Sequence, residues 1–303
     1  MPKLETLELY SPFVLLRSVL RAGGVNTTAL YQRLSAISIQ SAVREQDLEA
    51  TRDALREIVP DVTDQYTVGF DVAAFERYWE IKMRGLHAFQ TSCALEALSY
   101  MERRDVTVVD LGDSSGNHAA YLRALAPEGT VNRVISVNLD KAAVDKINAK
   151  GGEAILARVE DIKLDGMQPD MIISFETLEH ILDPIGFLRG LAHASSAAHI
   201  VISVPYRRNS RFGGTLLRMP PGEMPDEITP EETHIFELSP EDWELLARFS
   251  GFRTIFKRIY RQYPKRSPLR IMAPLWRRLD FEGFLVLFLE RDLALSKRYT
   301  GWP

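Results

Sequence analysis

Apolar residues fall at helical spacing through the first third of the chain. They do so in Phe13-Val-Leu-Leu-Arg-Ser-Val-Leu, in Leu48 to Ile58, and from about Val72 to Met101, a stretch that carries Phe75, Trp79, Met83, Phe89 and Leu95. Trp79, Met83 and Phe89 are expected in the core, and the Gly23-Gly24 pair and Pro60 are breaks. The pattern then changes. Short β-rich runs alternate with helical stretches: Val106–Asp110 before a helix at Asn117–Leu125, and Val134–Val137 before one at Lys141–Lys150. A shorter run follows at Ala154–Val159, then Met171–Ser174 before a helix at Pro184–Ala194, then His199–Val204. Near-continuous apolar strands alternating with helices predict a parallel sheet covered on both faces, and right-handed crossovers make it doubly wound. After Pro205 comes a polar loop rich in Gly and Pro. A helix follows, opened by Ser239-Pro-Glu-Asp and closed by Gly251. Two last strands are expected near Phe252–Ile259 and Gly283–Leu289. The expectation is an α/β fold with a mostly parallel, seven-stranded sheet and an N-terminal helical cap. The cap spans 1–104 and the main domain 105–303, with an active-site loop at 206–238 and a basic insertion at 257–280.

Composition narrows the picture a little. A length of 303 residues, 46% hydrophobic and 26% charged, suits a soluble globular chain with a sizeable core. The net charge of −4 does not point to a nucleic-acid binder. The one cysteine, Cys93, excludes a disulfide framework within the chain and is read as a buried thiol. The acidic start does not resemble a secretory leader, and no apolar run reaches membrane-span length. A cytoplasmic location is expected.

The first chemical signal is Val108-Val-Asp-Leu-Gly-Asp-Ser-Ser-Gly-Asn-His, which joins a strand to a helix. Gly112 and Gly116 permit a tight turn and close backbone approach to a ligand. Position 114 is serine, so the dinucleotide fingerprint G-x-G-x-x-G is absent, and there is no phosphate-loop lysine either. The turn points to a ligand without phosphates; a purely structural turn would explain it as well.

This stretch resembles motif I of class I S-adenosylmethionine-dependent methyltransferases, with Asp110, Gly112 and Gly116 matching and Ser114 replacing the middle glycine. The resemblance extends downstream, where Asp170-Met-Ile-Ile-Ser-Phe-Glu-Thr-Leu-Glu-His-Ile-Leu-Asp-Pro looks like the family's fourth-strand motif. The stretch from Glu232 to Phe252 resembles its His…Ser-Pro-Glu…Gly-Phe signature, and Gly283–Arg291 its closing strand. The resemblance covers about 105–292 and implies a Rossmann-like domain that binds S-adenosylmethionine. It implies cofactor contacts from Asp110, Gly112, Asp113, Ser114 and Gly116 at the methionine end. Asn138 (where the family has an acid), with Asp140 as a substitute, Leu139 and Asp161 would serve the ribose and adenine, and Phe175 and Glu176 would also contact the cofactor.

Glu176, Glu179 and His180 stand at i, i+3 and i+4 and would share one face of a helix. With His234 they are suitable ligands for a divalent metal, Mg²⁺ or Mn²⁺. The pattern is similar to the metal site of small-RNA 2′-O-methyltransferases and of ubiquinone-pathway O-methyltransferases. The same groups also suit acid–base work, with Glu179, His180 and His234 as candidate catalytic residues and a neutral imidazole removing a hydroxyl proton; a loop-bracing role is the third option. His87, His118, His193 and His199 are read as structural or solvent-facing, with a cofactor contact as the alternative for His118, which lies in the helix after the glycine turn. From Lys257 to Arg278 there are eight basic residues and no acids, which reads as a solvated face or as an anionic-acceptor site. The expected activity is methyl transfer to a hydroxyl of a small molecule or glycan, anionic in one version. RNA 2′-O-methylation, or a non-catalytic scaffold, is the alternative.

Overall fold

The computed structural model describes residues 19, 21–65, 77–164, 166–229, 233–274 and 283–298. The helix expected at Phe13–Leu20, apart from Val19, lies outside the described residues, as do residues 72–76 of the third expected helix and both Arg277 and Arg278.

Among the described residues three long helices precede the sheet: α1 (Thr27–Glu45), α2 (Glu49–Ile58) and α3 (Arg77–Met101). Asn26 caps α1 by accepting the Ala29 N–H. Then strands and helices alternate as β1 (Val106–Leu111), α4 (Asn117–Leu125), β2 (Val131–Asn138), α5 (Lys141–Ala149), β3 (Glu153–Leu156) and β4 (Met171–Phe175). They continue as α6 (Pro184–Ala194), β5 (His199–Tyr206), the short pair β6 (Arg211–Phe212) and β7 (Phe236–Glu237), α7 (Pro240–Ser250), β8 (Phe252–Arg261) and β9 (Gly283–Arg291). Ser239 caps α7 by accepting the Asp242 N–H, and Gly251 ends it at φ +103°.

The seven-stranded sheet runs β3-β2-β1-β4-β5-β9-β8. β1 to β5 pair in parallel, and β9 runs antiparallel between β5 and β8. The reversal of strand order at β1/β4 opens a crevice at the carboxyl ends of the strands, the place where this architecture takes ligands.

Alternate residues of the buried strands feed two cores. On one face Val106, Val108, Met171, Ile173, Val201 and Phe288 pack beneath the helices, in one cluster with Ile39, Val43, Leu55, Phe89 and Leu98. The other face packs Val109, Leu111, Ile172, Ile202 and Leu287 against Leu188 of α6 and Trp243 of α7. The N-terminal helices thus share a hydrophobic core with the sheet.

Two expectations are corrected. Trp79 is 38% exposed rather than in the core. Tyr78 and Ile81 face inward and turn it off the buried side of α3, where Lys82 Nζ lies 5.1 Å from its ring centre. The segment at 176–180 is not an α-helix. β4 ends at Phe175, the φ of +52° at Glu176 is incompatible with helix continuation, and a single 3-10 turn covers Leu178–His180. Glu176, Glu179 and His180 therefore share no helical face.

Candidate active site

The glycine turn follows β1. Gly112 has φ +97°, and a Cβ there would stand 2.1 Å from Thr177 Oγ1. Thr177 in turn donates its hydroxyl to the Leu111 carbonyl at 3.2 Å, tying the turn to the segment after β4. Gly116, at φ +79°, occupies the N-cap of α4. Asp113 is buried and shapes the turn. Its Oδ1 accepts the Gly116 N–H at 3.0 Å and its Oδ2 the Ser136 hydroxyl at 2.7 Å. Ser114 is exposed. Asp110 is 1% exposed, and its Oδ2 has no hydrogen-bond partner among the described residues. Burial, aided by the neighbouring Asp113, pushes its carboxyl well above the ordinary range. A buried, unpartnered carboxylate oxygen beside a tight turn fits a cationic group such as an ammonium.

Asn138 ends β2, and its amide is already engaged. Nδ2 donates to the Asp113 carbonyl at 2.9 Å, and Oδ1 accepts the Asp140 N–H at 2.6 Å. It braces the glycine turn, leaving one N–H for a ligand. Leu139 beside it is 48% exposed, and Asp161 lies exposed at the end of a 3-10 turn after β3. Phe175 is buried at the end of β4, with the His118 ring edge-on to it at 4.8 Å.

Of the four expected metal ligands, three come together. Glu179, His180 and His234 each offer a donor atom within 4.8 Å of the others. His180 Nε2 is 3.7 Å from Glu179 Oε1, and the two imidazoles meet edge-to-face at 4.8 Å. His180 Nδ1 lies 2.8 Å from the Thr233 carbonyl, so that nitrogen carries the hydrogen and donates. The main chain closes the cluster, with Ile235 N–H donating to the Glu179 carbonyl at 2.8 Å. Glu179 is 1% exposed and neither carboxyl oxygen has a partner among the described residues; burial pushes it up to about 8. His234 is pulled down to about 4, first by burial and then by His180. Its Nδ1 faces Glu237 Oε1 at 4.0 Å, and Glu237 is held by Arg207 and Arg211.

Glu176 is not among the three, and its carboxyl is bonded elsewhere. Its Oε1 accepts the Ser203 hydroxyl at 2.6 Å and the Gln90 amide at 3.4 Å. Gln90 of α3, Ser203 of β5, Ser136 of β2 and Glu237 of β7 join the site through these contacts. None carries a signal in the sequence, since single polar residues in apolar runs have no spacing pattern. His118, expected to be structural or to touch the cofactor, stands with Nδ1 3.7 Å from Asp110 Oδ2. Two of the described basic side chains of the segment are paired with acids. Lys257 pairs with Glu244 and Arg258 with Glu96, while Glu45 accepts the main-chain N–H groups of Lys265, Arg266 and Ser267.

Among known proteins, the family of the methyltransferase domain matches residues 82–255. No curated protein matches. Three solved structures are similar in fold. The 1,6-didemethyltoxoflavin-N1-methyltransferase of Burkholderia thailandensis is 17% identical, over 67% of this chain and 78% of that one, at a TM-score of 0.47. An S-adenosylmethionine-dependent methyltransferase of Mesorhizobium loti is 17% identical, over 66% and 100%, at 0.46. The complex of Haloferax volcanii Trm112 methyltransferase activator with a methyltransferase gives 17%, over 70% and 92%, at 0.48. Since the family match spans more than half of the 303 residues, the chain belongs to the methyltransferase domain family, as an S-adenosylmethionine-dependent methyltransferase.

Proposed function

We propose that the enzyme methylates a hydroxyl group of a small molecule or glycan. The observation that carries this reading is the Glu179–His180–His234 cluster, with its carboxyl buried, beside the carboxyl end of β4. On the cofactor side, Asp110 receives the ammonium of the methionine moiety, and the turn from Gly112 to Gly116 lets the backbone approach it. Asn138, Leu139 and Asp161 line the nucleoside end, and Phe175 and Glu176 the floor. Bound S-adenosylmethionine supplies a methyl group already activated on a sulfonium. The protein's own work is to orient the acceptor, exclude water and take one proton.

His234 takes that proton. Burial keeps its imidazole neutral at physiological pH, and its Nδ1 faces Glu237 Oε1 at 4.0 Å. His180, held by the Thr233 carbonyl, presents Nε2 toward Glu179. A second reading is favoured by the two unpartnered oxygens of Glu179. Glu179, His180 and His234 would hold a divalent cation, Mn²⁺ being better suited than Mg²⁺ to two imidazoles and one carboxylate, and the cation would position the acceptor oxygen. The pairing of Lys257 and Arg258 with acids supports a small acceptor over RNA.

Titration calorimetry with S-adenosylmethionine and S-adenosylhomocysteine, with and without Mn²⁺ or Mg²⁺, tests the reading. Binding that is indifferent to metal supports the imidazole base. A metal enhancement lost in Glu179→Ala supports the metal. No uptake of either nucleoside would make the fold a scaffold that has lost its cofactor, and would overturn the proposal.

A further inference from the structure

Behind the glycine turn, Asp110 adjoins three buried polar side chains, His87, His118 and Tyr121, that have no task in the reading above. Asp110 Oδ2, His118 Nε2, the Tyr121 hydroxyl and His87 Nδ1 are all buried and without a hydrogen-bond partner among the described residues. Folded proteins keep only a few such atoms per hundred residues. These four adjoin one another: the His118 ring lies 5.0 Å from that of His87 and 6.3 Å from that of Tyr121, and His87 lies 5.9 Å from Tyr121. His118 is central, with Nδ1 3.7 Å from Asp110 Oδ2, just beyond hydrogen-bond reach.

We propose that His118 is a positioning residue for the amino-acid end of the cofactor, its Nδ1–H closing on Asp110 Oδ2 and aiming that carboxylate at the ammonium group. The inference rests on the reading that Asp110 receives that group. Asp110 is buried beside a second acid, Asp113, so its ionised form needs a donor as well as the incoming cation. A neutral donor serves best, because a charged one would repel the ammonium. His118 meets that need: its burial disfavours the imidazolium. With the hydrogen on Nδ1, Nε2 is an acceptor open to the Tyr121 hydroxyl, which would lock the ring. His118 also sits in the first turn of α4, so it moves with the glycine turn. If His118 only filled space in the core, leucine would replace it without loss.

The test compares two ligands on the wild type, His118→Asn and His118→Leu by calorimetry. S-adenosylhomocysteine carries the ammonium and carboxylate; 5′-methylthioadenosine has the same adenosine and thioether but lacks both. A hydrogen bond to a charged group predicts that His118→Leu loses at least about tenfold in affinity for S-adenosylhomocysteine, with methylthioadenosine within about twofold of wild type. His118→Asn, whose amide nitrogen falls where Nδ1 stood, should recover most of that loss. The proposal is overturned if leucine leaves S-adenosylhomocysteine binding unchanged, if both ligands weaken alike, or if asparagine fails to recover it. A wild-type protein that takes up no S-adenosylhomocysteine would sink the cofactor reading itself, and this inference with it.

Discussion

Single residues set the geometry of the turn. Gly112 is needed twice over, for its positive φ and for the space that Thr177 occupies. Gly112→Ala should destabilise the protein by more than about 1 kcal/mol and abolish cofactor binding, as thermal melts and calorimetry will register. Burial also decides the chemistry of the one cysteine. It pushes the Cys93 thiol up to about 12, with Glu96 adding to the shift. The thiol is therefore neutral in neutral buffer, and native protein at pH 8 should resist a thiol reagent that labels it promptly in urea. Fast labelling of the native state would contradict the packing described for α3. Glu179 gives a signed pH effect. Its folded-state pKa is raised to about 8, while an unfolded glutamate ionises near about 4.3. Its stabilising contribution is fully present below the unfolded value and is lost as pH rises through the folded one. In chelator-treated protein, the melting temperature of Glu179→Gln should gain on wild type as pH is raised through about 5 to 8; parallel curves would count against a buried acid.

At the scale of elements, caps and strand ends do the positioning. α7 begins at Ser239, whose hydroxyl accepts the Asp242 N–H, and ends at a left-handed Gly251. Ser239→Ala should cost about 1 kcal/mol in a denaturant melt. All the signals for this helix are local, so its bounds could be read from the chain. The stretch from Glu176 to His180 behaves differently. Its spacing matches a helical face, yet β4 runs to Phe175, Glu176 turns the chain at positive φ, and only one 3-10 turn follows. The cluster that results is completed from β7's neighbourhood, by His234, more than fifty residues away in sequence. Periodicity within one segment carries no information about such a partner.

At the scale of the whole molecule, the N-terminal helices and the sheet share one core. Ile39, Val43, Leu55 and Leu98 pack in the same cluster as Val108, Val201 and Phe288. Gln90 of α3 reaches Ser203 and Glu176 at the carboxyl edge of the sheet. A chain begun at residue 105 would expose that apolar face, and it is expected to aggregate on expression, whereas the full chain stays monodisperse in size-exclusion chromatography. Soluble, folded protein from the shorter chain would show that the helices are a dispensable addition.

The sequence by itself determined the parts that local rules govern. The apolar strands alternating with helices, the glycines of the turn and the Ser239 and Gly251 stops are legible because each rests on neighbours within a few residues. So is family membership, which follows the order of motifs along the chain. Only the tertiary structure decided which polar groups meet. It gave Glu176 a bond with Ser203, turned Asn138 into a brace for Asp113, and set His118 beside Asp110. Those outcomes depend on how strand ends and helix faces from distant parts of the chain come together in a low-dielectric interior. There, a few ångströms separate a ligand from a structural hydrogen bond.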